Sequence, residues 1–500
     1  MISNRRENRK SQVHGATPPR SSRPLFRRRR KLILFLLVAH LAGFVSSLDA
    51  LMSTRTAPGA VAWIVSLNTL PYVAVPAYWV FGRNKFQGYV IARRDHESDL
   101  AMALSEQLAH LDAHRHSAPF ASKDLRAVEA LAKTSFLDGN ELELLIDGEA
   151  TFESMFSGIA EARNYILVQF FIIRDDALGR KLQQQLVKRA ADGVDVYLIY
   201  DEIGSYQLPA SYIDQLIAGG VNVHRFHSTR GRGNRFQLHF RNHRKLVIVD
   251  GEQGWVGGLN VGDEYLGSDE RIGPWRDTHL KIMAPAALQL QLSFVEDWYW
   301  ATETILDLPW QPRRSETANV PTLILATGPA DRFETASLMV QQAIHAAQDR
   351  IWISSPYFVP DEGEQNMLKL AALGGIDVRI LIPESSDFRL VDLAALAFMK
   401  PLLDAGVEIY RYQEGFLHSK SFLVDDIGAA VGTVNLDNRS FRLNFEITAI
   451  AIDHDFAAEV ERMFREDFDR SRRMQVEEID ELNLWTRASS RAAYLFAPIL

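Results

Sequence analysis

The chain carries one chemistry-bearing pattern twice, at positions about 180 residues apart. Each copy is a His and a Lys with one residue between them, followed after four more residues by an Asp: His243, Lys245 and Asp250, and His418, Lys420 and Asp425. After six further residues each copy continues as Gly-(Gly/Thr)-x-Asn: Gly257, Gly258 and Asn260, and Gly432, Thr433 and Asn435. We expect such a repeat to build one site from two halves.

The repeated residue types suit chemistry on a phosphodiester. Two Lys and two Asn would supply charge and hydrogen bonds to the non-bridging oxygens. One neutral imidazole can attack phosphorus and become a phospho-His, while the other, protonated, donates to the leaving oxygen. This division of labour requires the two His pKa values to be pushed apart. Nothing in the sequence resembles an acidic two-metal cluster, so we expect a mechanism without a metal or cofactor.

Alternate residues of a strand face the same way, so His243 and Lys245 should project together, as should His418 and Lys420. The apolar residues that follow each pair, LVIV and SFLV, are typical of a strand buried on both faces.

Four carboxylates accompany the repeated pattern. Asp250 and Asp425 fall at the ends of the two predicted strands, and we include them in the catalytic set for orienting or pairing, with a purely structural role as the alternative. Asp277 and Glu446 lie downstream of the motifs and are candidates for orienting the histidines. The alternative for this second pair is an ordinary surface or salt-bridge role.

Composition indicates a folded protein with an unusual charge distribution. Of the 500 residues, 47% are hydrophobic and 24% charged, and there is no Cys, which excludes disulfides, Cys-ligated zinc and a thiol nucleophile. The net charge is −8, although residues 1–31 hold eleven Arg or Lys and one Glu. The remainder is therefore strongly acidic, which argues against nucleic acid as a partner.

The N-terminal region predicts a membrane anchor. Residues 1–31 are basic and predicted to be disordered. Two apolar runs follow, Leu32 to about Met52 and Ala60–Phe81, each near the roughly 20 residues that span a bilayer. We interpret 32–82 as a two-helix transmembrane hairpin, with a cleaved signal peptide as the alternative for the first run. Because basic residues flank the hairpin on both sides, the N-terminus and the body should be cytoplasmic.

The rest of the chain predicts an α/β protein with an internal duplication. Residues 83–140 are a partly helical connector. Two stretches then repeat a helix, strand, helix and strand order before reaching their own His-Lys motif. We place the two resulting domains at 141–310 and 311–500.

The two motifs resemble the paired signatures of the phospholipase D superfamily, and their surroundings are similar to its bacterial-type cardiolipin synthases. The segments that carry this likeness are RNHRKLVIVDGEQGWVGGLNVGDEYLG, PWRDTHLKI, SSPYFVPD, HSKSFLVDD, GTVNLDNRSFRLNFE and the hairpin ending AYWVFGR. Together they span roughly residues 50–500. The first motif has Gly258 where the second has Thr433 and where many members have Ser, so a hydroxyl contact is in doubt in the first half.

The resemblance implies two pseudo-symmetric α/β/α sandwich domains around one shared active site. It implies that one phosphatidylglycerol transfers its phosphatidyl group to a His and releases glycerol. A second phosphatidylglycerol then takes the group to give cardiolipin, at the plasma (inner) membrane of a bacterium.

By the same likeness, the His, Lys and Asn of both motifs surround one phosphate, and Asp277 and Glu446 orient the histidines. His243 is favoured as nucleophile and His418 as acid, with the reverse assignment open.

Three alternatives remain at this point. A lipid hydrolase of the same superfamily would use identical residues and release phosphatidic acid, since only exclusion of water from the phospho-His separates the outcomes. A nuclease is disfavoured by the acidic, membrane-tied body. A non-catalytic membrane scaffold is disfavoured because both motifs are complete.

Overall fold

A computed structural model describes residues 23–82, 109–116, 123–226, 240–269 and 273–500. The chain divides into two compact units, Met1–Gly82 and Arg83–Leu500. The disorder expected for residues 1–22, and the connector residues 83–108 and 117–122, lie outside the described residues.

The N-terminal unit consists of three helices: α1 Arg23–Ser53, α2 Ala57–Thr69 and α3 Pro71–Phe81. The expectation of disorder is wrong for residues 23–31, which form the first turns of α1; Pro24 falls there, where a missing N–H is tolerated. Within α1, Arg28–Ser53 is long and apolar enough to cross a membrane.

The second predicted spanning helix is not continuous. It divides at Leu70, whose φ of −132° and ψ of 54° lie outside the helical region. The cause is Pro71, since a residue before proline is disfavoured in the helical conformation.

Hydrogen bonds between helices tie this unit together. Tyr78 donates its hydroxyl to Asp49 at 2.7 Å, and the Trp79 indole N–H donates to Ser46 at 3.0 Å. Asn68 donates to the Ser47 hydroxyl at 2.7 Å. Small and polar residues at such contacts are typical of helices that associate within a membrane.

The second unit alternates strands and helices. Its first half contains α4 Lys123–Ala132, β1 Leu137–Ile146, α5 Asp147–Glu161, β2 Tyr165–Phe170, α6 Ala177–Ala191, β3 Asp195–Asp201, α7 Ala210–Ala218, β4 Asn222–Phe226, β5 Arg241–Asn242, β6 Leu246–Val249, β7 Gln253–Gly257, the 3₁₀ turn Asp263–Leu266, β8 Trp275–Arg276, β9 Thr278–Met283 and α8 Ala287–Thr302.

The second half repeats this order. It contains β10 Val320–Thr327, α9 Thr335–Ala346, β11 Arg350–Ser354, β12 Phe358–Val359, α10 Glu362–Leu373, β13 Asp377–Pro383, α11 Arg389–Leu403, β14 Glu408–Tyr412, β15 Phe416–Leu417, β16 Ser421–Val424, β17 Gly428–Gly432, β18 Leu436–Asp437, α12 Asn438–Arg442, β19 Asn444–Ile452, α13 His454–Asp469, β20 Ser471–Arg473, α14 Val476–Asp480, α15 Leu484–Tyr494 and the 3₁₀ turn Ala497–Ile499.

One mixed sheet runs through both halves, in the order β20-β14-β13-β11-β16-β17-β19-β10-β1-β9-β7-β6-β2-β3-β4. Read outward from the antiparallel pair β1–β10, the two arms match strand for strand: β9 with β19, β7 with β17, β6 with β16, β2 with β11, β3 with β13 and β4 with β14. The predicted internal pseudo-dimer is confirmed.

Helices cover the sheet on both faces, as predicted for an α/β/α arrangement. On one face, Phe152, Leu182 and Leu216 of the first-half helices pack with Val168 and its strand neighbours in one core cluster. On the opposite face, a core shared by both halves joins residues of α8 and α13. Strand β2 is buried along its whole length, which explains its continuous apolar sequence.

Candidate active site

Short strand pairs bring each motif histidine to the opposite half of the body. Strand β5, which precedes His243, pairs in parallel with the start of β19, and the His243 N–H donates to the Phe445 carbonyl at 2.9 Å. Strand β15, which precedes His418, pairs with β8, and the His418 N–H donates to the Arg276 carbonyl at 2.7 Å. Glu446 follows Phe445 in the chain and Asp277 follows Arg276. His243 therefore lies beside Glu446, and His418 lies beside Asp277.

The first crossed pair is His243 with Glu446. The His243 Nδ1 lies 2.8 Å from Glu446 Oε2, and the Glu446 side chain is fully buried. Ser440 and Asn444 donate to Glu446 Oε1 at 2.7 and 3.0 Å. The carboxylate is therefore fixed in place and can hold the Nδ1–H of the imidazole, which leaves Nε2 for a ligand.

The second crossed pair is His418 with Asp277. The His418 Nδ1 lies 2.8 Å from Asp277 Oδ2, which also accepts from the Trp275 indole at 3.3 Å. Lys420 Nζ also stands 2.9 Å from His418 Nδ1. We place the Nδ1 proton on the bond to Asp277, because a carboxylate can only accept.

Burial dominates the ionisation of the site. It lowers the pKa of His243 to about 4 and that of His418 to about 3, although the Glu446 and Asp277 carboxylates pull the other way. Burial also lowers the pKa of Lys420 to about 8. Both imidazoles are thus neutral in the protein alone.

The two lysines connect the halves electrostatically. Lys245 is fully buried and donates to the His243 carbonyl at 2.6 Å. Burial lowers the pKa of Lys245 well below its ordinary value. The charge of Lys245 contributes to lowering the pKa of His418, and the charge of Lys420 does the same for His243. Each lysine therefore acts on both imidazoles, as a shared site requires.

The difference between Gly258 and Thr433 has a steric cause. A Cβ added at Gly258 would lie 2.0 Å from Asp277 Oδ1. In the second half the Thr433 hydroxyl accepts from the Ile447 N–H at 2.9 Å and donates to the Ile447 carbonyl at 3.3 Å. The first half thus has no room for the hydroxyl that the second half uses.

The two motif asparagines lie within this network. Asn260 accepts from the Ile172 N–H at 3.1 Å and donates to the Tyr265 hydroxyl at 3.1 Å. The Tyr265 ring packs against Trp275, whose ring centroid is 5.1 Å from that of His418. The Asn435 N–H donates to Ser440, the residue that also bonds Glu446.

Asp250 and Asp425 bond to backbone groups away from this network, which fits the purely structural role given above as the alternative to a catalytic one. Asp250 accepts from the backbone N–H groups of residues 163–165, and Asp425 accepts from those of residues 348–350. The four-residue strands β6 and β16, each roughly 13 Å of extended chain, lie between the motif Lys and its Asp. The role of the two carboxylates is to fix the chain entering β2 and β11.

Sequence reasoning missed two buried ion pairs next to the site. Arg276 makes a two-point contact with Asp467 of α13, with both distances 2.8 Å. Arg244 donates to Asp297 of α8 at 2.8 Å and to the carbonyl of Glu446 at 3.1 Å. Each arginine is the chain neighbour of a site residue. The available signal was the Glu-Asp pair that occurs near the end of both helices.

Among the residues that the structure describes, no three His, Cys, Asp or Glu side chains are grouped as metal ligands.

Fold and site together define a duplicated phosphodiester-processing protein of the phospholipase D class. The family described as "Cardiolipin synthase, PLD-like domain" matches residues 155–277 and 340–468. Cardiolipin synthase A of Pseudomonas putida (strain GB-1) is 47% identical over 470 residues, covering 92% of this chain and 97% of that protein. The chain belongs to the cardiolipin synthase family.

Two further comparisons agree. Cardiolipin synthase A of Pseudomonas aeruginosa (strain LESB58) is 46% identical over 472 residues, covering 93% of this chain and 96% of that protein. The structure of a phosphatidylserine synthase from Haemophilus influenzae covers 76% of this chain and 100% of its own, with a TM-score of 0.59 and 16% identity. The latter supports the fold alone.

Proposed function

We propose that this protein is a cardiolipin synthase that transfers the phosphatidyl group of one phosphatidylglycerol to another, giving cardiolipin and glycerol. The observation that carries the proposal is the pair of crossed His–carboxylate contacts, each 2.8 Å long, in one buried site with two lysines. The names of the relatives supply the substrate class. We further propose that each domain, 141–310 and 311–500, contributes one catalytic half.

The first step forms a phospho-His. A neutral imidazole that donates Nδ1–H to its carboxylate presents the Nε2 lone pair to phosphorus. As the N–P bond forms, the P–O bond to the departing glycerol breaks, and the other His gives its Nε2 proton to that oxygen. Both imidazoles are neutral in the protein alone, so the acid His takes up its proton from solvent when the substrate binds. The anionic phosphodiester raises the pKa of the nearby imidazole and so favours that uptake.

The second step reverses these roles. The hydroxyl of the second phosphatidylglycerol loses its proton to the His that acted as acid, the new P–O bond forms, and the N–P bond breaks. Lys245, Lys420, Asn260 and Asn435 would bind the non-bridging oxygens in both steps. In this proposal His243 is the nucleophile and His418 is the acid.

Product analysis tests the reaction. Purified protein is incubated with phosphatidylglycerol alone, and the lipid and soluble products are identified by mass spectrometry. Cardiolipin with glycerol is the expected result. Phosphatidic acid with glycerol would identify the hydrolase. The absence of any product would support the non-catalytic scaffold.

Trapping under alkaline conditions tests for the phospho-His intermediate. Quenching at alkaline pH preserves a phospho-His, and peptide mapping should find the phosphatidyl group on His243. The His243→Ala and His418→Ala variants should remain folded and lose cardiolipin formation. Substantial turnover in either variant would refute the shared site.

We also propose that the chain spans the bacterial inner membrane twice, with its catalytic body in the cytoplasm. The basic residues on both sides of the apolar region support this orientation. In this arrangement α1 crosses the bilayer, and α2 with α3 returns through the break at Leu70.

The absence of Cys allows a direct test of this topology. Single Cys substitutions at Arg55 and at Arg389 are treated in intact cells with a membrane-impermeant maleimide. A Cys at position 55 should be labelled in intact cells. A Cys at position 389 should be labelled only after the cells are lysed. The opposite pattern would overturn the orientation.

A further inference from the structure

Two exposed aromatic side chains occupy equivalent positions in the two halves. Tyr206 is 72% exposed and Phe388 is 51% exposed. Strand β3 ends at Asp201 and strand β13 at Pro383, so each aromatic residue comes five positions after the end of its strand. A single exposed aromatic residue is ordinary, but a pair at equivalent positions of a duplicated fold indicates a shared task.

In the first half, Tyr206 lies on a loop tied to the site. Its neighbour Ser205 accepts from the Ile173 N–H and donates to the Phe171 carbonyl, both at 3.1 Å. The Phe171 ring meets the His243 ring edge-on at a centroid distance of 5.1 Å. Tyr206 is therefore connected to the His243 imidazole through Ser205 and Phe171.

The second half repeats this relation with different residues. The neighbour of Phe388 is Asp387, which accepts from the Tyr357 hydroxyl at 2.8 Å. The Tyr357 ring stands edge-on to His418 at a centroid distance of 6.4 Å. Each half thus carries one exposed aromatic residue whose chain neighbour is bonded to a residue beside that site's imidazole.

We propose that Tyr206 and Phe388 are a pair of bilayer anchors that enter the headgroup region on either side of the active-site mouth. This rests on the proposed function, since a phosphatidylglycerol substrate resides in the bilayer while the histidines are buried. Aromatic rings favour the membrane interface because one part is apolar and the headgroup level remains wet. A lipid then passes to the phosphate site between the two anchors.

The surroundings of Phe388 fit an anionic lipid surface. Arg389 is exposed beside Phe388, and a basic residue near such a surface attracts it. A second Phe with an Arg neighbour lies on the loop after β10, where Phe333 is 57% exposed and the Arg332 guanidinium lies 5.3 Å from its ring. Acidic residues lie here as well: Asp387 accepts from the Tyr357 hydroxyl, and Asp331 and Glu334 flank the Arg332 and Phe333 pair.

Kinetics on two physical forms of one substrate test the proposal. The full-length Tyr206→Ala/Phe388→Ala double variant is assayed with phosphatidylglycerol vesicles and with a short-chain phosphatidylglycerol below its micelle concentration. The KM on vesicles should rise by about tenfold with kcat unchanged, since burial of two rings is lost. Values for the dispersed lipid should match the wild type.

Two exposed apolar residues that precede strands, rather than follow them, serve as matched controls. Ile217 and Leu373 are 54% and 71% exposed, near the end of α7 and at the end of α10, before β4 and β13 begin. The Ile217→Ala/Leu373→Ala variant should keep the wild-type KM on both substrates. An unchanged KM in the aromatic double variant, or an equal loss on vesicles and dispersed lipid, would overturn the anchors. A wild type that makes no cardiolipin from either form would instead refute the proposed function.

Site-specific fluorescence gives a readout that does not depend on turnover. Single Cys variants at positions 206, 388, 217 and 373 are labelled with an environment-sensitive dye and reconstituted into phosphatidylglycerol vesicles. Lipids brominated near the top of the acyl chain should quench the first two labels and leave the last two unchanged. Equal quenching at all four positions, or none at 206 and 388, would contradict the proposal.

Discussion

The contact between Gly258 and Asp277 leads to a sharp prediction about a single methyl group. In Gly258→Ala the new Cβ would lie 2.0 Å from Asp277 Oδ1, whereas ordinary van der Waals contact begins at 3.4 Å. The carboxylate also accepts from the Thr278 N–H at 2.8 Å and bonds His418 at 2.8 Å. It cannot move away from Gly258 without weakening these bonds.

The expected effect falls on kcat. A carboxylate shift of about 1 Å misplaces the imidazole, and a misplacement of that size costs on the order of 100-fold in rate. A hydrogen bond to a charged group contributes about 1.5–3 kcal/mol, so stability should also fall by roughly that amount. Gly258→Ser should be no better, although Thr433 carries a hydroxyl at the equivalent position.

The assay is cardiolipin formation from phosphatidylglycerol in mixed micelles, with a thermal melt of each variant. Gly428→Ala is the control, because Gly428 lies on β17, the counterpart of the strand that precedes Gly258, and its Cβ would meet no atom closer than 3.3 Å. The reasoning is refuted if Gly258→Ala keeps its rate within a few-fold of wild type, or if Gly428→Ala loses as much.

Four further predictions follow from the contacts of the site. Glu446→Gln and Asp277→Asn should each lower kcat by about 10³-fold or more, since an amide no longer stabilises the imidazolium; a loss below tenfold would contradict the crossed pairs. Asp250→Asn and Asp425→Asn should lower the melting temperature and leave kcat per folded molecule unchanged; lost kcat with an unchanged melt would support a catalytic role instead. Because burial lowers the pKa of His243 from 6.5 to about 4, the unfolded chain binds more protons below pH 6.5, and wild-type stability should fall by about 2 kcal/mol from this group between pH 7 and pH 5; melts of His243→Asn should lack that part. Activity should persist in a chelator, and a lasting loss there would overturn the metal-free mechanism.

Local sequence predicted the duplication and the participants but not their pairing. The His and Lys spacing predicted one strand through each pair, but residues 243–245 and 418–420 lie between strands, after β5 and β15 and before β6 and β16. The two carboxylates that contact the histidines are among the predicted residues. That His243 takes Glu446 and His418 takes Asp277 depends on two-residue strands that pair with partners about 140 to 200 residues away. Such pairings depend on the packing of the whole body, which no local pattern encodes.

Two expectations had local signals against them. Asp250 and Asp425 have φ values of 52° and 55°, a left-handed conformation that Asp tolerates at turns. The Asp-Gly sequence at 250–251 is a turn signal, so a structural role for the carboxylate could have been favoured. The break in the second apolar run was likewise marked by Pro71.

Crossed pairing makes the two halves catalytically inseparable. Each imidazole takes its orienting carboxylate from the other half, so any shift between the halves disturbs both histidines together. The buried Arg276–Asp467 pair opposes such a shift, because Arg276 belongs to the first half and Asp467 to the second. Removing one partner of a buried pair costs about 3–5 kcal/mol. Arg276→Met should therefore lower activity through both histidines. The double variant Arg276→Met/Asp467→Asn should recover part of the stability, because no unpaired charge stays buried. It should recover less of the rate, because the contact that aligns the two halves is still missing. Equal recovery of rate and stability would show that this pair serves folding alone.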